Sequence, residues 1–143
     1  MARWSCEISE VRKEHPFADY RESIDGAVYE VTRREALDLP EPVRSVVIYA
    51  LSSGGKRLRG MLVLAAYQAA GGREDASSLG AAVEVIHSYS LVHDDLPCMD
   101  NDDMRRGQPS THRAFTVPVA TRAGAAMIPL AVRVAARGAS DLR

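Results

Sequence analysis

Ile24, Ala27, Val28 and Val31 recur at i, i+3, i+4 and i+7, the spacing that draws one apolar stripe along a helix. Pro40 and Pro42 are expected to end that helix. Val43, Val46, Val47, Ala50 and Leu51 repeat the spacing directly after Pro42, a residue suited to a first helical turn, and Ser52-Ser53-Gly54-Gly55 closes a short second helix. From Leu58 to Ala70 the chain is apolar nearly all round, which predicts a central helix enclosed by others and stopped by Gly71-Gly72. Leu79, Ala82, Val83 and Ile86 mark one face of a fourth helix that starts from a Ser77-Ser78 cap and runs into Asp94-Asp95 ahead of Pro97. Asp100 to Pro109 is charged and punctuated by glycine and proline, so a loop or a loosened helix end is expected there. Val117 to Ala136 then reads as an alanine-rich helix that Pro129 should kink or interrupt. No strand alternation exceeds a few residues, and there is no internal repeat, low-complexity tract or linker. The pattern predicts an all-α helical bundle.

Composition narrows the function. The 143 residues, 46% hydrophobic and 26% charged, fit one soluble domain or part of one. A formal charge of −1 leaves no broad basic field for nucleic acid or an anionic membrane, so any anion site must be local. Cys6 and Cys98 match no zinc or C-x-x-C spacing and are expected as free thiols in a reducing compartment. The charged opening stretch has no signal-peptide core, and no run is expected to approach a membrane span, so the expected location is cytoplasmic.

The strongest chemical feature is Asp94-Asp95-Leu96-Pro97-Cys98-Met99-Asp100, followed by Asp102, Asp103, Arg105 and Arg106; five carboxylates lie within ten residues. Crowded carboxylates repel one another unless a hard cation neutralises them, and all-oxygen sets suit Mg²⁺ with a phosphate partner. Asp94 and Asp100 are six apart, about 120° off a common face on a straight helix. Pro97 can break that regularity and let both turn inward. A solvated acidic loop is the alternative, but the apolar helix running into the cluster and the two arginines following it place cation- and anion-binding groups side by side. An EF-hand fails, because Arg105 and Thr111 stand where glycine and glutamate are needed.

A second cluster, Gly54-Gly55-Lys56-Arg57-Leu58-Arg59-Gly60, lies at the predicted start of the third helix. Free N–H donors, a positive dipole end, and Lys56 and Arg59 on nearly one side make a diphosphate seat; a solvent-exposed helix cap explains the same residues. It is not a Walker loop, since Arg57 follows the lysine. His87 lies two turns before Asp94 on the same face and points toward whatever the aspartates bind, although a lone histidine also serves as a packing residue. His93 and His112 have no such register, and Tyr89 could equally belong to the core.

Together the strings GGKRLRG (54–60) and VEVIHSYSLVHDDLPCMDNDDMRRGQPSTH (83–112), with the helices around them, resemble the trans-prenyl diphosphate synthases, also called polyprenyl synthetases. The resemblance is to the bacterial farnesyl and geranylgeranyl diphosphate synthases and is strongest over residues 43–123. It implies a helical bundle of the isoprenoid synthase type and a prenyltransferase that condenses isopentenyl diphosphate with an allylic diphosphate, dimethylallyl or geranyl. Asp94 and Asp100 would coordinate Mg²⁺, or Mn²⁺ in its place, with Asp95 and Arg105 completing the catalytic set and Arg105 gripping the allylic diphosphate. Lys56, Arg59, His87 and Arg106 would hold the diphosphate of isopentenyl diphosphate. Tyr89 and Ser90, five and four residues before Asp94, would set product length, and the aromatic Tyr89 suggests farnesyl diphosphate.

Complete members of that family are about twice as long and carry a second aspartate-rich motif, which this sequence lacks. The expectation is therefore the N-terminal portion of one synthase domain, residues 1–143, truncated and weak or inactive alone. Ala125, in the segment TRAGAAMIPLA, stands where relatives usually have aspartate. The alternative is a non-catalytic diphosphate-binding or modulating subunit of a full-length synthase. A homodimer or association with a complementary chain is implied in either case.

Overall fold

The structure, a computed structural model, describes residues 16–142. Cys6 and the charged opening stretch lie outside the described residues. Six helices follow one another: α1 (Pro16–Glu30), α2 (Val43–Ser52), α3 (Leu58–Ala69), α4 (Ser77–Asp94), the single turn α5 (Thr111–Ala114) and α6 (Val117–Asp141). A two-residue antiparallel hairpin, β1 (Met104–Arg105) with β2 (Gln108–Pro109), interrupts them.

α4 is the axis of the bundle, with α6, α3 and α1 packed around it. Two glycines of α6 bring it close: a side chain at Gly124 would meet the His93 ring, and one at Gly138 would meet Ser78. Those pairs run in opposite directions along the two helices, so α4 and α6 are antiparallel. On the other side, Ile24 of α1 fills the space left by Gly60 of α3 and Gly80 of α4, where an added Cβ would lie 2.9 and 2.3 Å from its carbons. All five apolar residues expected on α2 are buried, as are Ile24, Val28 and Val31 on the first helix stripe.

The structure corrects several local expectations. Regular α1 ends at Glu30, before the prolines, and continues through a π turn (Val31–Glu35) and a 3₁₀ turn (Ala36–Asp38). Leu39, which precedes Pro40, is extended, as the crowding of a following proline ring requires. α3 is not enclosed: Gly60, Met61 and Leu64 are buried, while Leu58 and Leu62 are 54% and 64% exposed. One strip of it meets α1 and α4, and the rest of its apolar surface faces outward. α4 also turns Val83 and Ile86 of the predicted face toward solvent and buries Ala82, Val85 and Val92 together with small and polar residues, among them Gly80, Ala81, Glu84 and Ser88. Its first turn is tied by the Asp75 carboxylate, which accepts the Ser77 N–H at 2.8 Å, rather than by a serine cap. Pro129 does not interrupt α6, which runs through it with the residue exposed. α6 is also long and apolar enough to cross a membrane by length and composition, contrary to expectation, but its buried stripe packs on α4 and α2 as a bundle's core helix does.

Candidate functional site

The aspartate cluster occupies the C-terminal end of α4. The chain turns back there: the Asp100 N–H donates to the Asp94 carbonyl at 2.8 Å, so the six-residue offset between them is undone by the loop through Pro97. Asp95 is buried and receives the Arg105 guanidinium, whose Nε lies 2.8 Å from both carboxylate oxygens. Asp102 adds a longer contact to Arg105 at 3.4 Å. These hydrogen bonds to Asp95, with the negative field of Asp95, Asp102 and Asp94, raise the Arg105 pKa above its ordinary value. Asp103 is taken by Arg113 at 2.6 Å, a bond that holds its carboxyl below the usual range. Asp94, half-buried, and Asp100, exposed, are left without a guanidinium partner among the described residues.

Two free carboxylates do not enclose an ion, and among the described residues no group of three acidic, histidine or cysteine side chains does so. They are nevertheless hard oxygen donors of the kind that shares Mg²⁺ with substrate phosphate oxygens and water. The residues present therefore fit an ion that arrives with a diphosphate.

The second cluster forms a pocket of about 450 Å³ lined by Gly55, Lys56, Arg57, Leu58, Arg59, Glu84, His87 and Arg106. Lys56 and Arg59 do not share a helix face as expected. α3 starts at Leu58, and Arg57 in a left-handed conformation (φ 52°) turns the chain between them, yet both line the pocket. Arg57 is only 7% exposed and points inward, where it pairs with Asp25 at 2.8 Å and reaches the Leu51 carbonyl at 3.3 Å. Glu84, 4% exposed, accepts the Gly60 N–H at 2.9 Å. Sequence reasoning missed both as supports, because an arginine in a basic run and a glutamate on a helix ordinarily face water. Burial, then the positive charges of Arg59, Arg106 and Arg105, lower the His87 pKa, while Glu84 opposes them.

The hairpin joins the two clusters. Its turn, Arg106-Gly107, has positive φ at both residues (54° and 80°), the twist that matches a two-residue hairpin. The strand end sends Arg105 to Asp95, and the turn sends Arg106 to the α2–α3 loop, where its guanidinium donates to the Gly54 carbonyl. Gly55 permits that approach, since a Cβ there would lie 2.7 Å from Arg106 Nη1.

The remaining candidates lie along α4. Tyr89 packs edge-on against His93, ring centres 4.9 Å apart, and His93 Nε2 reaches the Thr121 carbonyl at 3.1 Å. Ser90 bonds its own helix through the His87 carbonyl. His112 is buried against the Ser110 hydroxyl. Cys98 is a free, exposed thiol, and Ala125 is exposed on α6. An apolar cleft of about 330 Å³ lies between α3, α4 and α6, lined by residues including Val63, Leu79, Val83, Ile86 and Val132. A larger cleft, about 840 Å³, is at the far end of α4 between α1 and α6 and contains none of the candidate residues.

The profile of the polyprenyl synthetase family matches residues 40–142, which include both clusters and the hairpin between them. The chain belongs to the polyprenyl synthetase family. Among curated polyprenyl synthetases it is 42% identical over 125 residues to the farnesyl diphosphate synthase of Bacillus subtilis, covering 87% of this chain and 42% of that one. It is 45% identical over 120 residues to the large subunit 1 of the heterodimeric geranylgeranyl pyrophosphate synthase of Arabidopsis thaliana chloroplasts, covering 76% and 32%. The fold superposes on the crystal structure of a geranyltransferase from Legionella pneumophila with a TM-score of 0.78 at 39% identity, covering 88% of this chain and 44% of that one. The chain thus spans less than half the length of these polyprenyl synthetases.

Proposed function

We propose that this chain is the diphosphate- and metal-binding front half of a short-chain trans-prenyl diphosphate synthase. The reaction is condensation of isopentenyl diphosphate with dimethylallyl or geranyl diphosphate, with farnesyl diphosphate as the product. The observation that carries the reading is the hairpin, which assigns Arg105 to the aspartate cluster and Arg106 to the Lys56–Arg59–His87 pocket. Two neighbouring anion sites of different character fit two different diphosphates.

At the first site Asp94 and Asp100 would hold Mg²⁺ or Mn²⁺, which supplies neutralising charge to a departing pyrophosphate. Arg105, oriented by buried Asp95, presents its guanidinium to the same anion. Pyrophosphate leaves an allylic carbon only as fast as its developing charge is stabilised, so these groups act on the ionisation step. At the second site Lys56, Arg59, His87 and Arg106 hold isopentenyl diphosphate so that its alkene faces the allylic cation; a carbon–carbon bond forms and a proton is then lost. Ile86 lies eight residues, about 12 Å, down α4 from Asp94, so the apolar cleft is placed to take a growing prenyl chain. Tyr89 and Ser90, one turn above Asp94, would limit its length.

The exposed Val83, Ile86, Leu62 and Val132 support association with a complementary synthase chain or a second copy. The same exposed faces favour the second reading, a non-catalytic modulating subunit, and the Arabidopsis relative is named as part of a heterodimer. We place the protein in the cytoplasm. The test is incubation with Mg²⁺, labelled isopentenyl diphosphate and geranyl diphosphate, alone and with a polypeptide carrying a second aspartate motif. Product only in the mixture, abolished by Asp94→Ala, is expected; no product in either overturns the catalytic reading. A Tyr89→Ala variant in the same mixture should lengthen the product, and an unchanged chain length removes Tyr89 from that role.

A further inference from the structure

We propose that Glu84 is a positioning residue of the Lys56–Arg59–His87–Arg106 pocket, anchoring the start of α3 and serving as its resident counter-anion. The inference rests on the reading of that pocket as a diphosphate site. Three observations support it. The Glu84 side chain is 4% exposed, and its Oε1 accepts the Gly60 N–H at 2.9 Å, one of the donors a helix start leaves without an internal partner. Gly60 is also closely surrounded: a Cβ added to it would lie 2.9 Å from Ile24 of α1, and one added to Gly80 of α4 would lie 3.0 Å from the Gly60 carbonyl oxygen. Glu84 also borders the pocket and makes no ion pair among the described residues, unlike Arg57, whose charge Asp25 balances.

A carboxylate nearly removed from water is costly unless neighbouring charge or hydrogen bonds compensate it. The Gly60 N–H supplies one hydrogen bond, and Lys56, Arg59 and Arg106, which line the same pocket, are the positive charges set against it. The same carboxylate acts on His87, one turn on, against the lowering effect of burial and of Arg59, Arg106 and Arg105. Glu84 therefore has two separable effects on an incoming diphosphate. Its hydrogen bond fixes the backbone from which Lys56 and Arg59 extend and so favours binding. Its charge repels the ligand and so weakens it.

Glu84→Gln separates them, because the amide oxygen keeps an acceptor for Gly60 while the charge is lost; Glu84→Ala removes both. With pyrophosphate as the calorimetric probe on the whole chain, Glu84→Gln should bind about three- to tenfold more tightly than the unsubstituted protein. Glu84→Ala should bind more weakly than Glu84→Gln despite the same change of charge, and equal affinities for the two variants overturn the positioning role. Hydrogen exchange at the Gly60 amide should be slow in the unsubstituted protein and Glu84→Gln and at least about tenfold faster in Glu84→Ala; no acceleration overturns the anchor. NMR titration of His87 should show its pKa falling further in Glu84→Gln, and no change overturns the counter-anion role. Glu84→Leu, which fills the space without an acceptor, replaces Glu84→Ala if that variant does not fold. Absence of pyrophosphate binding by the unsubstituted chain would strike the diphosphate reading itself, while the exchange and titration measurements still decide the role of Glu84.

Discussion

At the start of α3 the groups around the pocket are tied to partners on distant segments, whereas in the Asp94–Asp103 loop the charged groups largely hold one another. Asp25 secures Arg57, Glu84 secures Gly60, and Gly54 and Gly55 receive Arg106, so the basic pocket is assembled before any anion arrives. In the loop, Asp95, Asp102 and Asp103 are consumed by Arg105 and Arg113, and Asp94 and Asp100 are what remains. The difference teaches that a row of aspartates is not a row of ligands. Most of this one builds a frame, and two positions are left without a guanidinium partner among the described residues.

If the two regions are independent in this way, replacing both Asp94 and Asp100 by alanine should have the largest effect and a one-sided one. Mg²⁺-dependent binding of a non-hydrolysable geranyl diphosphate analogue should weaken by about a hundredfold or more, since metal charge at a phosphoryl oxygen is worth several kcal/mol. Metal-free pyrophosphate binding to the basic pocket should hardly change. Calorimetry with and without Mg²⁺ measures both, and parallel losses would merge the sites. Gly55→Ala works from the other side. Its Cβ would lie 2.7 Å from Arg106 Nη1 at a backbone angle unfavourable to side chains, so pyrophosphate affinity should fall about tenfold, the worth of one charge-assisted hydrogen bond, with the Mg²⁺-dependent binding retained.

Asp25→Ala asks whether the support of buried Arg57 matters to the fold as well as to the pocket. It strands the Arg57 guanidinium with the Leu51 carbonyl alone, and a loss of about 1–2 kcal/mol is expected, kept modest because Asp25 is itself 47% exposed. Thermal denaturation reads it. The smallest effect concerns pH. His87 is held below the ordinary imidazole range by burial and by neighbouring arginines, so the free protein carries it neutral at pH 7, and a bound diphosphate favours the imidazolium. The bound state then takes up a proton, and affinity should rise as pH falls through that range. The rise should be a few-fold greater than in His87→Gln, which shares the titration of pyrophosphate itself but not that of the imidazole.

The sequence was most informative where chemistry is local. Asp94, Asp100, Lys56, Arg59, His87 and the two arginines are close in the chain or related by helical register, and the structure gathers them around one end of α4. It was least informative where a residue's surroundings depend on distant segments. Arg57 finds its partner 32 residues earlier and Glu84 finds its own 24 residues earlier, so neither burial could be read from neighbours. Apolar periodicity located α3 and α4 but misjudged their covered faces. A run of apolar residues records a tendency to be covered; whether a neighbouring helix covers them is decided elsewhere, and here Leu62, Val83 and Ile86 remain open.

The turn at Arg106-Gly107 converts adjacency in the chain into separation in space. Two consecutive guanidinium groups are delivered to two different partners, the Asp95 carboxylate and the Gly54 carbonyl, because one residue ends a strand and the next begins a reversal. The pair thus forms a fixed-length link, and the two sites cannot drift apart or be lengthened singly at this point. An inserted or deleted residue here would misdirect both arginines at once, so change in this stretch is confined to exchanging side chains on a backbone of constant length.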